Sequence, residues 1–407
     1  MVSDTEPRRS QTFHMVNLGC KVNRVESDDF TAALLARGGE AVDEKSADLV
    51  IVNTCTVTGE AEKKTRKAVR GALRANDRAR VIVTGCAAAI SPEVFEAMDA
   101  RVQVVPKGSM VGLLAPEGSS FEPHGAAPLL RVGDEFPTRV GIKVQDGCNN
   151  ACTYCIVHVA RGRAWSRPAD EIVSEAVRLA QAGVREIVLT GINLGSYAFE
   201  GMTLAGLLRR LLEATDDGVR FRISSVEPRD VHDDLIELMA RSDGRICRHL
   251  HLPLQSGSPK VLKEMARPYK AAYFEDLVDR LYEAMPMLSL STDVIVGFPG
   301  ETEEDFQATV AMAEHCRFSK MHIFRYSMRE GTPAARRSDQ VDPAVKAERA
   351  KRLESVAQRL RDEDLAHRAG TVELALVETN GVATTESYHE VRVSEDARVG
   401  ELMEFRL

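Results

Sequence analysis

The chain has 407 residues, of which 44% are hydrophobic and 28% charged, with a formal net charge of −8. That length suits two or three domains with buried cores, and no apolar run reaches the ~18 residues that argue for a membrane-spanning helix. The acidic balance excludes a surface coated in positive charge, although phosphate binding needs only a local patch. The opening MVSDTEPRRSQTF has basic residues but no apolar h-region, so no secretory signal and no membrane partner are expected, and the expected address is cytoplasmic.

Over roughly the first hundred residues one pattern repeats: an apolar strand-like run, a turn with a cysteine, then an amphipathic helical stretch. The runs are HMVNLGC (14–20), ADLVIVNTC (47–55) and ARVIVTGC (79–86), with RVQVVP closing the set and a helix expected from Ser91 and Pro92. Strands alternating with helices imply a parallel sheet with helices on its faces. Cys20, Cys55 and Cys86 each stand just past a predicted strand, on the edge where open parallel sheets bind ligands. A single such thiol reads as a small buried hydrophobe, but three at equivalent points are expected to converge. Within the second helical stretch, residues 61–80 hold eight Lys or Arg, among them Lys63, Lys64, Arg66 and Lys67, against one Glu and one Asp. That run is either a solvated helix face or a phosphate-binding patch.

Residues 106–136 read as a linker. A second series of strand-like runs then begins: TRVGIKVQ (138–145), EIVLTGIN (186–193), RFRISSVEP (220–228), CRHLHLPLQ (247–255), STDVIVGFPG (291–300) and KMHIFRYS (320–327). Helical stretches separate most of them. Six such units predict a full or partial parallel barrel with its active site at the carboxyl ends of the strands. After Pro343 a charged helix leads into VELALVE, YHEVRV and ELMEFRL, which suggest a small antiparallel sheet or barrel. The expected domains are therefore 12–115, 137–345 and 346–407, all of α/β or β character.

Cys148, Cys152 and Cys155 form C-x3-C-x2-C directly after the first strand of the second series. Three thiolates on one loop can hold three irons of a 4Fe-4S cluster and leave the fourth open. Zinc is the alternative, with His158 as a fourth ligand. Cys247 and Cys316 match no motif and read as core thiols, and His14, His249 and His322 read as packing or supporting residues.

The triad, with Tyr154 before its last cysteine, resembles the signature of the radical S-adenosylmethionine (SAM) superfamily. Its context is similar to the methylthiotransferases: LGCKVN (18–23), VNTCTVT (52–58), VTGCAA (83–88), DGCNNACTYC (146–155), ARGRAWSRP (160–168), LTGINLGSY (189–197), SSVEP (224–228), HLPLQSGS (251–258), MARPY (265–269), DVIVGFPGETEEDF (293–306) and YSMREGTPA (326–334) occur in that family's order. The resemblance implies an amino-terminal parallel α/β domain, a radical SAM partial (βα)6 barrel and a small carboxyl-terminal β domain (TRAM-like). It implies that Cys148, Cys152 and Cys155 hold one 4Fe-4S cluster whose open iron binds SAM. Cys20, Cys55 and Cys86 would hold an auxiliary one. One SAM would methylate a sulfur at the auxiliary cluster, and another would yield the radical that takes hydrogen from the substrate carbon. By the same resemblance Tyr154, Gly191, Asn193, Ser225, Glu227, Gly297 and Tyr326 would bind SAM, and Gln255 and Arg267 would line the substrate cavity. A low-potential electron donor such as flavodoxin or ferredoxin and a sulfur donor are implied as partners.

Three substrates fit the resemblance: threonylcarbamoyladenosine in tRNA, isopentenyladenosine in tRNA, and an aspartate of a ribosomal protein. Lys21 and Val22, between Cys20 and Asn23, resemble the threonylcarbamoyl class. RNA is favoured by the basic run and by Arg161, Arg163 and Arg167 flanking Trp165, the only tryptophan, since a flat aromatic among guanidiniums suits a base and its phosphates. Ordinary packing is the competing reading. The chain departs from the family at His158–Val159, where members often have Pro-Tyr, and over 369–407, where three Arg stand against eight Asp or Glu. So acidic a segment is a poor phosphate binder and is expected to cap the barrel instead. A non-catalytic iron–sulfur RNA adaptor would explain the cysteines but not the polar strand-end motifs.

Overall fold

The computed structural model of the chain describes residues 11–56, 59–106, 109–110 and 138–407. The linker expected over 106–136 and the first ten residues of the opening stretch lie almost wholly outside them. The described residues fall into two compact units: the chain as far as Met110 with Val159–Arg161, and everything from Thr138 on except those three.

In the first unit, strands β1 (Thr12–Asn17), β2 (Glu40–Ala41), β3 (Leu49–Thr54), β4 (Arg80–Gly85) and β5 (Val102–Val104) form one parallel sheet in the order β2-β1-β3-β4-β5. Every residue of β3 is buried, as a central strand covered on both faces requires. Its side chains alternate between two cores. Leu49 and Ile51 meet Phe30, Ala33 and Leu34 of helix Lys21–Ala36. Val50 and Val52 meet Val69 and Ala72 of helix Gly59–Ala75. Cys86 stands just past β4 as expected, but it opens an unexpected short helix, Cys86–Ile90, before the anticipated one at Pro92–Glu96.

In the second unit six parallel strands follow in chain order: β6 (Arg139–Lys143), β9 (Glu186–Thr190), β10 (Arg220–Ile223), β11 (His249–His251), β12 (Ser289–Val296) and β13 (Lys320–Arg325). Single bridges, Phe221 to Ile246 and Ser225 to His251, join the two halves. This is the expected partial (βα)6 barrel. A small hairpin, β7 (Gln145–Asp146) with β8 (Trp165–Ser166), brackets the cysteine triad. Val294 and Val296 of β12 pack outward on Phe306, Ala350 and Leu353 of the surrounding helices, while Ile295 turns the other way, toward Tyr154.

Helix Pro343–His367 leads into an antiparallel sheet, β14 (Val372–Thr379), β15 (Val382–Thr385), β16 (Glu390–Arg392) and β17 (Leu402–Arg406). It groups with the barrel rather than standing apart. Three of its acids find partners there: Glu378 pairs with Arg139 at 2.6 Å, Glu386 with Arg248 at 2.7 Å and Glu373 with Arg368 at 2.8 Å. Arg220 and Arg222 of β10 donate to the carbonyls of Leu374, Thr384, Thr385 and Glu386. The barrel contacts come from the amino-terminal ends of its strands, so the sheet closes the end opposite the cysteine loop, as the capping expectation held.

Candidate active site and cysteine centres

The triad loop leaves the carboxyl end of β6 and is anchored by buried side chains. Gln145 donates through Nε2 to the carbonyls of Asp146 and Gly147, both at 2.8 Å, and its Oε1 accepts from the amide of Asn193 at 2.9 Å. Each of the three sulfurs then receives one hydrogen bond. Asn150 N–H donates to Cys148 Sγ at 3.4 Å, Val157 N–H to Cys155 Sγ at 3.4 Å, and Arg267 Nη1 to Cys152 Sγ at 3.2 Å. Burial pushes the Cys148 thiol up and that of Cys155 up to about 12, and the neighbouring sulfurs add to both shifts. A cation between the thiols would reverse that balance and hold them as thiolates. His158 and Val159 lie in the helix Val157–Arg161, exposed, so the departure from Pro-Tyr leaves the Val157 N–H bond in place.

Arg267 ties this loop to the strand ends. Its Nη1 also donates to Tyr154 Oη at 3.3 Å and its Nη2 to Glu227 Oε1 at 2.5 Å, with both charged side chains under a tenth exposed. Burial raises the Glu227 carboxyl, and the guanidinium pulls it partly back. Tyr269 donates to the carbonyls of Pro253 and Leu254 and receives Arg267 Nε at 3.3 Å. Gln255, the residue after Leu254, holds a left-handed φ of 65°, a strain that persists only where surroundings impose it.

Four buried polar atoms around this loop find no hydrogen-bond partner: Asn193 Oδ1, Ser224 Oγ, Glu227 Oε2 and Tyr326 Oη. Each such orphan costs ~1–3 kcal/mol, and native proteins carry few. Four at the carboxyl ends of three barrel strands fit a polar ligand that would satisfy them. The three thiols and these orphans therefore suit a cluster with a small zwitterionic molecule beside it. Tyr326 packs with Tyr154, Met265 and Phe298. Gly191 packs against Gln145, and Gly297 against Lys346, whose ammonium reaches the Tyr326 carbonyl at 3.2 Å. Ser225 is half-buried and gives its carbonyl to Leu194 N–H, so the orphan hydroxyl is that of its neighbour Ser224. Gln145, Ser224 and Tyr269 escaped the sequence reading, although Ser224 lay in SSVEP beside Ser225 and Tyr269 in MARPY beside Arg267.

In the first unit Cys20, Cys55 and Cys86 follow three adjacent strands, β1, β3 and β4, and all eight cysteines are free. Gly19 has φ +116°, and a Cβ there would sit 2.7 Å from Cys55 Cβ, so the first two cysteine loops touch. Gly85 has φ +95° with Asn53 Oδ1 and Thr54 O each 2.5 Å from its missing Cβ, which brings the Cys86 turn equally close. Asparagines lock the arrangement. Asn23 Nδ2 donates to Leu18 O at 2.9 Å and Thr54 O at 2.8 Å, and Asn53 Nδ2 returns to Asn23 O at 2.9 Å. Thr65, from helix Gly59–Ala75, bonds the Cys55 carbonyl at 3.1 Å. Three cysteine turns packed at one sheet edge carry the three-thiol donor set of a cluster with one open iron.

The basic residues divide. The Arg161 side chain is 1% exposed and pairs with Glu26 at 3.2 Å and with Asn23 Oδ1 at 2.6 Å within the first unit. Arg167 is buried against Glu175 at 2.8 Å and the Lys143 carbonyl at 3.0 Å. Both are withdrawn from the expected RNA-binding set, because a guanidinium already neutralised in a dry site has nothing left for a phosphate. Arg163 is exposed, and Trp165 is 48% exposed with Lys143 Nζ 5.8 Å from its ring. On helix Gly59–Ala75, Lys64 and Arg66 form i,i+4 pairs with Glu60 and Glu62. Lys63 and Lys67 are exposed and continue into Arg70 and Arg74, four basic residues along one helical stripe opposite buried Thr65, Val69 and Ala72. Arg70 and Arg74 were legible in the 3.6-residue period.

Residues 142–313 match the Radical SAM superfamily and residues 12–106 match Uncharacterized protein family UPF0004. The chain is 41% identical over 367 residues to Threonylcarbamoyladenosine tRNA methylthiotransferase MtaB of Bacillus subtilis strain 168, covering 86% of this chain and 81% of that one. It is 38% identical to the protein of the same name from Thermotoga maritima, over 88% and 84% of the two chains. It is also 34% identical to tRNA-2-methylthio-N(6)-dimethylallyladenosine synthase of Corynebacterium urealyticum, over 99% and 78%. Among solved structures, the radical SAM methyltransferase TsrM of Kitasatospora setae shares the fold, with TM-score 0.58 and 17% identity over 80% of this chain and 77% of that one. SAM and 4Fe-4S clusters are the cofactors of this group. The chain belongs to the radical SAM methylthiotransferase family and is a transferase.

Proposed function

We propose that this enzyme places a methylthio group on carbon 2 of threonylcarbamoyladenosine beside the anticodon of tRNA, in the cytoplasm, with a low-potential electron donor and a sulfur donor as partners. The observation that carries the substrate is the residue after the first auxiliary cysteine. Lys21 is exposed and opens the helix that Cys20 caps, while Val22 beside it is buried packing. An ammonium there suits the threonyl carboxylate, a charge that isopentenyladenosine lacks. The relatives at 41% and 38% identity are named for the same nucleoside.

Bound at the two cysteine centres, the cofactors supply a one-electron route to hydrogen abstraction and the sulfur to be delivered. The chain's own residues supply position. Arg267 fixes Cys152, Tyr154 and Glu227 relative to one another. Glu227, Gly191, Asn193 and Ser225 with its neighbour Ser224 are proposed to receive the polar end of SAM, and Gly297 and Tyr326 to border its adenine. Gln255 is proposed to line the substrate cavity. The basic stripe Lys63–Lys67–Arg70–Arg74 is proposed to hold the RNA backbone, and exposed Trp165 with Arg163 to stack on a base. The test supplies reconstituted enzyme with anticodon stem-loops bearing either nucleoside and measures the product by mass spectrometry. Methylthiolation of the threonylcarbamoyl RNA alone, weakened by Lys21→Met, supports the reading. Modification of the isopentenyl RNA instead transfers the chemistry to that substrate, and modification of neither points to a protein aspartate.

A further inference from the structure

Three neighbouring barrel strands bring two imidazoles and a carboxylate together with no cysteine among them. Register sets Asp293 of β12 opposite His322 of β13, and His251 of β11 opposite Ser291, two residues before Asp293. Side chains alternate along a strand, so all three share the face of Ser291 and Ile295, not the helix-packed face of Val294 and Val296. One donor atom from each residue lies within 4.8 Å of the others.

Three details separate this cluster from an ordinary ion pair. His251 Nε2 stands 3.4 Å from Asp293 Oδ1. That is long for a good N–H···O bond, which spans ~2.7–3.2 Å, yet donors bound tetrahedrally at ~2.0–2.1 Å lie ~3.3 Å apart. The other nitrogen of His251, Nδ1, is held by Ser291 Oγ at 3.0 Å, and that hydroxyl also meets His249 Nε2 at 2.9 Å. Metal-binding imidazoles are oriented through their second nitrogen in this way. Finally, the His251 and Asp293 side chains are 13% and 30% exposed and His322 is exposed, so solvent ions reach the cluster and a position stays open.

We propose that His251, Asp293 and His322 bind a divalent first-row transition ion, distinct from both cysteine centres. Two imidazoles and one carboxylate suit zinc or ferrous iron. His322, the most exposed of the three, closes the remaining gap by rotating its side chain. The open coordination position takes a water or carboxylate oxygen. The site stands independently of the substrate proposed above.

The test uses the holoenzyme with both clusters assembled, equilibrated with zinc and desalted, with zinc and iron counted together. Crystals of the same material are measured on both sides of the zinc absorption edge. The expected result is about one zinc per chain with no loss of iron and an anomalous peak among the three side chains. Asp293→Asn and His322→Ala should each retain less than a tenth of that zinc. Ser291→Ala should weaken binding ~10-fold, as loss of an orienting partner does. Should Asp293→Asn fail to fold, His322→Ala at its exposed position decides alone. Equal retention by wild type and His322→Ala overturns the proposal, as does zinc found only at the cysteines or gained only as iron is lost.

Discussion

Replacing Glu186 with Gln should loosen the whole second unit. Glu186 opens β9 with a fully buried carboxylate, 2.5 Å from Arg220 and 2.5 Å from Arg222, which are themselves 1% and 0% exposed. The arginines give their other N–H groups to the carboxyl-terminal sheet, and Arg222 lies 4.2 Å from the Tyr388 ring centroid. Gln keeps the shape but strands two buried cations, and breaking a buried pair costs ~3–5 kcal/mol. At ~2–4 °C per kcal/mol for domains of a few hundred residues, the melting transition should fall by roughly 6–20 °C. Calorimetry at neutral pH reads that shift, and limited proteolysis should cut ahead of β14 sooner. Burial pushes the Glu186 carboxyl up, but Arg220 and Arg222 together pull it far lower, below the ordinary carboxylate range. A depressed carboxyl contributes fully above its unfolded pKa, ~4.3, and loses that contribution only as pH falls through the folded value. The gap between wild type and Glu186→Gln should therefore hold from pH 7 to about 5 and narrow below ~4. The triple variant Glu186→Leu, Arg220→Met, Arg222→Met should recover much of the loss, because it removes the cations with the anion. A single variant melting within ~2 °C of wild type would refute the reasoning.

Asn23→Ala removes both hydrogen bonds that hold the Leu18 and Thr54 carbonyls; iron should drop from about eight toward four per chain while SAM cleavage persists. Arg267→Met strands the buried Glu227 carboxylate and frees Cys152; SAM affinity should fall at least tenfold by equilibrium dialysis, and Arg267→Lys should recover little because the guanidinium bridges three partners. Reversing Lys63, Lys67, Arg70 and Arg74 to Glu should weaken tRNA binding and flatten its salt dependence by ~0.7–0.9 per lost phosphate contact, read from binding across a salt series. The same change at Arg161 should act on folding rather than on the salt slope, since that side chain is buried against Glu26.

What the sequence revealed was periodic or punctuated. The three cysteine turns were legible because each apolar run ends in Cys, and the six barrel strands because apolar runs alternate with helical stretches. Helix Cys86–Ile90 and strand β15 were not, being five and four residues long, too short for a period to register. Charges misled where burial decides. Arg161 and Arg167 look like Arg163 in sequence, yet only tertiary packing gives the first two a dry carboxylate. Glu378 and Glu386 of the tail looked surplus because their arginines lie more than a hundred residues away, in β6 and before β11. His322 read as a packing or supporting residue, and its grouping with His251 and Asp293 was hidden because strand register, not spacing, brings them to one face.

The most direct test of the central claim is nucleoside mass spectrometry of total tRNA from cells with and without this gene. The account predicts that methylthio-threonylcarbamoyladenosine disappears on deletion and returns with the intact gene. It should not return with Cys20→Ala or with Cys152→Ala. An unchanged level of that nucleoside in the deletion strain would contradict the account.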